Sequence, residues 1–131
     1  MNEDLEKIIK TSTFTIQSGK FVYVKVKSAP SINGHFLITQ DVDEITVVTL
    51  EENISQLDVI EKNKDFYTLI ALNVSIPFYA VGFLAVINDA IAKQGMNILI
   101  VSTYSKDYIL VRADQIDKAE EALLELGLVQ K

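Results

Sequence analysis

The segment from Gly82 to Arg112 constrains the fold most, because it combines a helix-length apolar run with strand-length runs and leaves almost no room for loops. Residues 81–94 repeat large apolar side chains at helical spacing. Gly95 follows at the position where a left-handed C-terminal cap is expected. The segment therefore predicts a helix packed directly against the strands that follow it.

The neighbouring runs extend this pattern on both sides. Residues 67–73 form an apolar run typical of a central strand, and residues 97–101 and 108–111 predict two further strands joined by a short polar turn. Asp114 offers an N-cap oxygen to a last helix, which Gly127 ends. The second half thus predicts the order strand, helix, strand, strand, helix.

The first half shows the same order more weakly. In the strand that begins at Phe21, valines alternate with lysines, so one face is expected to be core and the other solvated. The elements predicted in this half are a helix over residues 4–10, strands over 13–16 and 21–27, a hairpin of 36–40 with 44–50, and a short exposed helix over 53–65.

These elements predict an α+β protein made of two ferredoxin-like βαββαβ units, each an antiparallel sheet with helices on one face. We place the first unit at residues 1–62 and the second at 63–131. Each half lacks one strand of its own. We therefore infer that the halves complete each other, with the strand at about 13–17 added to the second sheet.

The charge of the chain excludes several classes of partner. Its formal net charge is -6 over 131 residues, which repels nucleic acids and anionic membrane surfaces. The acidic first residues do not resemble a secretory signal, and the apolar run 67–87 is interrupted by polar residues, proline and glycine. The chain has no cysteine for a disulfide. These observations favour a cytoplasmic protein.

Residues typical of catalysis do not occur in any recognisable arrangement. The sequence contains no glycine-rich phosphate loop and no metal-spaced cluster, and His35 is its only histidine. A single histidine beside Gly34 favours a surface role over metal binding. We therefore predict no catalytic residues, no metal and no cofactor.

Several segments resemble tandem ACT-domain proteins, a family related to the regulatory domains of aspartate kinases and to the eukaryotic cytosolic arginine sensor. The resemblance implies a regulatory module that binds a free amino acid where the loop after a first strand and the following helix start face a neighbouring ACT domain. The segments that carry it are 18–24, 36–39 and 43–48 in the first half, and Gly82 to Ala85, Gly95, 102–104 and 107–111 in the second.

The chemistry of a free amino acid agrees with this interpretation. Its carboxylate needs N–H donors, which a helix N-terminus beside a glycine supplies, and its ammonium needs acceptors such as Asp107 or the hydroxyls of Ser102 and Thr103. By resemblance, Thr103, Tyr104 and Asp107 line the pocket. The predicted ligand contacts are Ser75, Gly82, Phe83, Leu84, Thr103, Tyr104 and Asp107.

Four of these residues also have a purely structural explanation. Gly82 could serve only the close approach of helix and strand, and Asp107 could be only a turn residue. Tyr104 and Phe83 are aromatic residues, which more often pack in the protein core than line a pocket. The site is therefore a hypothesis that the placement of these side chains has to support.

The loop before the helix bears on the choice of ligand. Some relatives carry an acidic residue there, whereas residues 75–81 are uncharged, which disfavours a basic ligand. Phe78, Tyr79 and Phe83 would suit an apolar or aromatic ligand, and Pro77 is expected to direct the loop into the helix.

Two functions follow from this sequence. The first is an amino-acid sensor that acts as a homodimer, through its own assembly or through a regulated partner. The second is a ligand-free scaffold for dimerisation or protein interaction, which the uncharged loop permits. A copurifying amino acid would separate the two.

Overall fold

The computed structural model describes residues 3–75 and 81–131. Pro77, Phe78 and Tyr79, for which the sequence predicted roles in the loop, lie outside the described residues. The described elements, in chain order, are α1 (Glu3–Thr11), β1 (Thr13–Ile16), β2 (Phe21–Val26), β3 (His35–Gln40), β4 (Ile45–Leu50), β5 (Val59–Lys62), β6 (Tyr67–Asn73), α2 (Phe83–Ala92), β7 (Leu99–Ser102), β8 (Asp107–Arg112), α3 (Ile116–Leu126) and β9 (Val129–Gln130).

The chain forms two compact units. The larger unit contains Met1–Ser18 and Thr68–Lys131, and the smaller unit contains Gly19–Tyr67. Residues 1–18 therefore group with the second half of the chain rather than with the residues that follow them directly. Residues 1–18 and the residues that follow them belong to different units, because a strand can pair with strands that are far away in the sequence.

In the larger unit the strands pair in the order β7, β8, β6, β1, β9. Strand β1 is antiparallel to β6, with Phe14 opposite Leu72, and parallel to β9. Together with α2 and α3, the strands from β6 to β9 give the ferredoxin-like βαββαβ order; β9 supplies the strand that the sequence-based prediction lacked in this half. Strand β1 lies between β6 and β9 and pairs with both.

The core of the larger unit explains why these elements form. Strand β6 is buried from Thr68 to Leu72, as expected for a central strand. Helix α2 buries Phe83, Ile87 and Ile91, which lie at helical spacing on one face. The C-cap of α2 is Lys93; Gly95 follows two residues later with a φ of 79°, and its amide donates to the carbonyl of Ala92 at 2.9 Å, so the predicted left-handed residue at this helix end is confirmed.

The start of α3 differs from the prediction. Asp114 does not cap this helix: the N-cap is Gln115, and a 3-10 turn over Ala113–Gln115 precedes it. The Asp114 carboxylate instead accepts a hydrogen bond of 2.8 Å from Nη2 of Arg112. This charge-assisted bond holds the side chain away from the helix, so the N-cap prediction was wrong.

The smaller unit is a sheet with β2 at its centre. Strand β2 pairs antiparallel with β4 on one side and with β5 on the other, and β3 extends the sheet beyond β4. Val22, Val24 and Val26 are buried in a cluster with Val47, whereas Lys25 remains partly exposed, as the alternation predicted.

The helix predicted over residues 53–65 is wrong. The structure has a 3-10 turn over Glu51–Gln56, followed by strand β5. Val59 and Ile60 are β-branched and favour a strand, and β5 satisfies backbone groups along the free edge of β2. Residues 19–67, all of them described, thus contain only part of the βαββαβ order, which is complete in the larger unit.

Candidate ligand cleft

A cleft of about 430 Å³ lies in the larger unit, between the start of α2 and the turn that joins β7 to β8. This volume is within the range of about 300 to 1,000 Å³ that is typical of small-molecule sites. The described residues that line it are Val74, Val81, Gly82, Phe83, Leu84, Ala85, Ser102, Thr103, Tyr104, Ser105, Lys106 and Asp107.

The start of α2 forms one wall of the cleft. Gly82 is the N-cap residue and has a φ of 84°, a backbone conformation that side chains with a Cβ rarely adopt. Its carbonyl accepts the first helical hydrogen bond, from the amide of Val86 at 3.0 Å. The N–H groups of the residues between them have no acceptor within the helix, and no described side chain caps it. This wall therefore offers backbone donors and the positive end of the helix dipole.

The turn between β7 and β8 forms the opposite wall. Its hairpin closes through the amide of Thr103, which donates to the carbonyl of Lys106 at 2.8 Å, and the Thr103 hydroxyl donates to the same oxygen at 3.1 Å. The hydroxyl of Ser102 donates to Oδ1 of Asp107 at 2.6 Å. These bonds fix the turn and orient the Asp107 carboxylate at the cleft.

Two adjacent residues of opposite charge, Lys106 and Asp107, line the cleft together. Lys106 belongs to none of the ion pairs found among residues 3–75 and 81–131, which are Lys25 with Glu44, Lys93 with Asp89, and Arg112 with Asp114. The sequence interpretation missed Lys106 and Ser105. Their position beside Asp107, in a turn already assigned to the site, was the clue that could have identified them.

The structure gathers most of the predicted contacts around this one cleft. Gly82, Phe83, Leu84, Thr103, Tyr104 and Asp107 all line it. Phe83 is only 1% exposed, so its ring belongs mainly to the core and only a small part of the residue reaches the cleft.

Ser75 is placed differently. It is not among the described lining residues, and its amide donates to Oγ of Ser12 at 3.1 Å. Its own hydroxyl lies 2.8 Å from that of Thr11, at the end of α1. Ser75 thus faces the end of α1, because its side chain pairs with Thr11, the last residue of that helix, and its backbone pairs with Ser12, which follows it.

The rim of the cleft carries large, exposed apolar groups. Val81 is 89% exposed and Tyr104 is 90% exposed, and both line the cleft. Ile100, on strand β7, is 43% exposed. Strand β7 pairs with β8 on one side and ends the strand order of the larger unit. Exposed apolar side chains therefore lie at the rim of the cleft and on the strand that ends at it.

Three further observations concern metal binding, His35 and membrane spans. Among them, no group of three or more His, Asp or Glu side chains is arranged to hold a metal ion. His35 begins β3, is partly buried, and places Nδ1 2.8 Å from the hydroxyl of Thr49. Within residues 3–75 and 81–131, every helix is too short or too polar to cross a bilayer.

Comparison with known proteins supports the family resemblance seen in the sequence. Residues 62–125, which include the whole cleft, match the family model of the ACT domain. A comparison with curated proteins gives no significant match. The resemblance to ACT domains is thus confirmed for the part of the chain that carries the cleft.

Solved structures extend this similarity to most of the chain. A protein of unknown function from Vibrio cholerae, described as a possible transport protein, superposes with a TM-score of 0.82 at 24% identity, covering 95% of this chain and 97% of its own. A protein from Agrobacterium tumefaciens gives 0.76 at 20% identity, covering 92% of each chain. The ligand-free regulatory subunit of aspartate kinase from Thermus thermophilus gives 0.61 at 11% identity, covering 88% of this chain and 95% of that one. At these identities the likeness establishes the fold.

Proposed function

We propose that this chain is a non-catalytic regulatory protein of the cytoplasm that binds a free amino acid in the cleft and acts as a homodimer. The observation that carries the proposal is the convergence of a helix start, a cation and a carboxylate on one cleft within the segment that matches the ACT domain. These three groups complement the two charges that every free amino acid carries.

In this proposal the ligand carboxylate lies at the start of α2. Backbone N–H groups of Phe83 and Leu84 donate to it, and the ammonium of Lys106 adds a countercharge. The ligand ammonium lies at the opposite wall, where Asp107 accepts. One oxygen of Asp107 already binds the Ser102 hydroxyl, which orients the other toward a ligand. Thr103 also lines this wall.

The side chain of the ligand meets apolar groups. Val74, Leu84 and the exposed Val81 and Tyr104 line the remaining surface. No acidic group besides Asp107 lines the described cleft, and Lys106 repels a second cation. We therefore rank small and apolar amino acids first, aromatic ones next and basic ones last.

The dimer completes the site in this proposal. Val81 and Tyr104 leave the cleft open at an apolar rim, and Ile100 is exposed on the outermost strand. A second copy placed against this rim would bury these groups and enclose the ligand. Ligand binding then favours the assembled state, and the change in assembly is the signal passed to a regulated partner.

A thermal-shift screen of the twenty amino acids tests this function. A ligand that binds only the folded state adds about 2.7 kcal/mol at a hundred times its dissociation constant. For a domain of this size the melting temperature rises by about ten degrees. Lys106→Gln should reduce the response. Lys93→Gln, which removes a lysine that does not line the cleft, should leave it unchanged.

The opposite result leads to the alternative function. If no amino acid raises the melting temperature, and crystals grown with the mixture show an empty cleft, the ligand-binding proposal fails. The chain is then a ligand-free scaffold for dimerisation or protein interaction, with the apolar rim as its contact surface.

A further inference from the structure

Helix α1 is not part of the βαββαβ order of the larger unit. It nevertheless contacts the connection between β6 and α2, residues 74–82, at both of its described ends. At one end it binds Ser75, and at the other it packs beside Gly82. Gly82 and its neighbours line the cleft, whereas α1 does not. The helix is thus placed to position the cleft without touching a ligand.

The contact with Ser75 is made by the hydroxyl groups of Thr11, the last residue of α1, and of Ser12, the residue after it. Ser12 is fully buried, and its hydroxyl donates to the carbonyl of Ile8 at 2.5 Å while accepting from the amide of Ser75 at 3.1 Å. The Thr11 hydroxyl lies 2.8 Å from that of Ser75. Loss of the buried Ser12 hydroxyl would cost the Ser75 amide the free energy of this hydrogen bond, so this end of the connection is held in place.

The contact with Gly82 is apolar. A Cβ built on Gly82 would lie 3.6 Å from Cδ2 of Leu5, so the leucine side chain packs directly beside this glycine. Leu5 is buried in the same core cluster as Phe83, the first residue of α2. Leu5 and Thr11 are six residues apart on one helix, which separates them by about 9 Å along its axis.

We infer that Thr11, Ser12 and Leu5 are positioning residues for the cleft, and that α1 couples its own docking to ligand occupancy through the two ends it holds. A rigid helix that contacts both ends sets their separation and with it the position of Gly82. The coupling to a ligand rests on the proposed function, whereas the positioning role does not. By linkage, a ligand that favours one position of Gly82 must favour the matching position of α1.

Hydrogen exchange in the ligand-free protein tests the positioning role. Thr11→Val removes the hydroxyl and keeps the side-chain shape, whereas Thr11→Ser keeps the hydroxyl. We expect the amide of Val86, which donates to Gly82, to exchange about fivefold faster in Thr11→Val, the effect of one lost hydrogen bond on a local opening. Thr11→Ser should exchange like the wild type. The amide of Leu110, in the β7–β8 ladder, serves as the reference.

A double-mutant cycle identifies the contact responsible. Ser75→Ala should also accelerate exchange at Val86, and adding Thr11→Val to it should have little further effect, because both changes break the same hydroxyl pair. Unchanged exchange at Val86, or equal acceleration at Val86 and Leu110, would overturn the inference. The second of these outcomes would mean a general loss of stability.

The ligand arm uses an equimolar mixture of the twenty amino acids. If the mixture raises the melting temperature of the wild type, we expect a smaller rise in Thr11→Val and a full rise in Thr11→Ser. Equal rises in all three proteins would overturn the coupling and leave the amino-acid function standing. If the mixture shifts none of them, the amino-acid function and the coupling fail together, and exchange at Val86 still decides the positioning role.

Discussion

The hydroxyl of Ser102 donates a hydrogen bond of 2.6 Å to Oδ1 of Asp107, and the two residues are direct partners in the β7–β8 ladder. The bond joins the last residue of one strand to the first residue of the next. It holds the carboxylate beside the cleft while the backbone pairing holds the turn. Folding and ligand binding should therefore depend on Asp107 to different degrees.

Replacing Asp107 with Ala is expected to weaken amino-acid binding more than folding. A hydrogen bond between a carboxylate and an ammonium contributes about 1.5 to 3 kcal/mol, so the dissociation constant should rise by about tenfold or more. The melting temperature without ligand should fall by only a few degrees, because the backbone ladder remains. Calorimetric titration with the amino acid that responds best in the screen measures the first effect, and a thermal melt measures the second.

Asp114→Ala is the matched control for this change. Asp114 is also an aspartate paired with a neighbouring side chain, and it does not line the cleft. Its replacement should leave amino-acid binding unchanged. The prediction for Asp107 fails if its variant melts several degrees lower but keeps the full ligand-induced shift.

Gly82→Ala and Gly95→Ala form a pair that separates backbone strain from ligand binding. Both glycines have positive φ, 84° and 79°, so each alanine should cost about 1 to 2 kcal/mol of stability. The added Cβ has ordinary space at both positions, with Leu5 at 3.6 Å in one case and nothing within 4 Å in the other. Chemical denaturation should show similar losses for the two variants.

Only the Gly82 variant is expected to change the response to amino acids. The strain there shifts the start of α2, whose backbone donors line the cleft, whereas Gly95 lies at the far end of that helix. Equal ligand-induced rises of the melting temperature in both variants would show that the start of α2 does not contribute to the site.

Light scattering at micromolar concentration is expected to give a mass near twice 14.6 kDa. Ile100→Lys should produce a monomer, because it places a charge in the apolar surface beside the cleft. Ile60→Lys is the control, since Ile60 is likewise a partly exposed isoleucine, 51% exposed, and belongs to β5 of the smaller unit. A wild-type monomer at high concentration would contradict the dimer.

The stability of the smaller unit is expected to depend on pH in the alkaline range through Tyr23. Burial, together with the neighbouring Tyr67, raises the pKa of Tyr23 above its ordinary value. The folded state therefore favours the neutral phenol. The contribution of neutral Tyr23 to the free energy of unfolding is fully present below the unfolded pKa of about 10 and is lost as the pH rises through the higher folded pKa.

Tyr23→Phe should remove that contribution to the pH dependence. Urea unfolding of the wild type and the variant, followed from neutral pH to beyond about pH 10, should show a smaller alkaline loss of stability in the variant. Parallel curves for the two proteins would show that Tyr23 does not titrate differently in the folded state.

Local sequence patterns were sufficient for the regular elements with strong periodicity. Helix α2 and its cap at Gly95 follow from apolar spacing and from the φ that glycine permits, and both are set by residues close together in the chain. The burial of β6 follows from its continuous apolar run. The same reasoning failed for residues 53–65. Apolar residues at every third position suggested a helix there, whereas part of the segment pairs with the free edge of β2 as a strand.

The sequence by itself determined the type of most elements, the strand, helix, strand, strand, helix order of the second half and the chemical character of the residues at the start of α2, since these depend on short-range geometry and residue type. Only the tertiary structure decided that Lys106 shares a cleft with Gly82, that Ser75 faces Ser12, and that β1 lies between β6 and β9. Each of these depends on contacts between residues far apart in the chain. Local periodicity carries no information about which distant groups will meet, because that choice is made by the packing of the whole core.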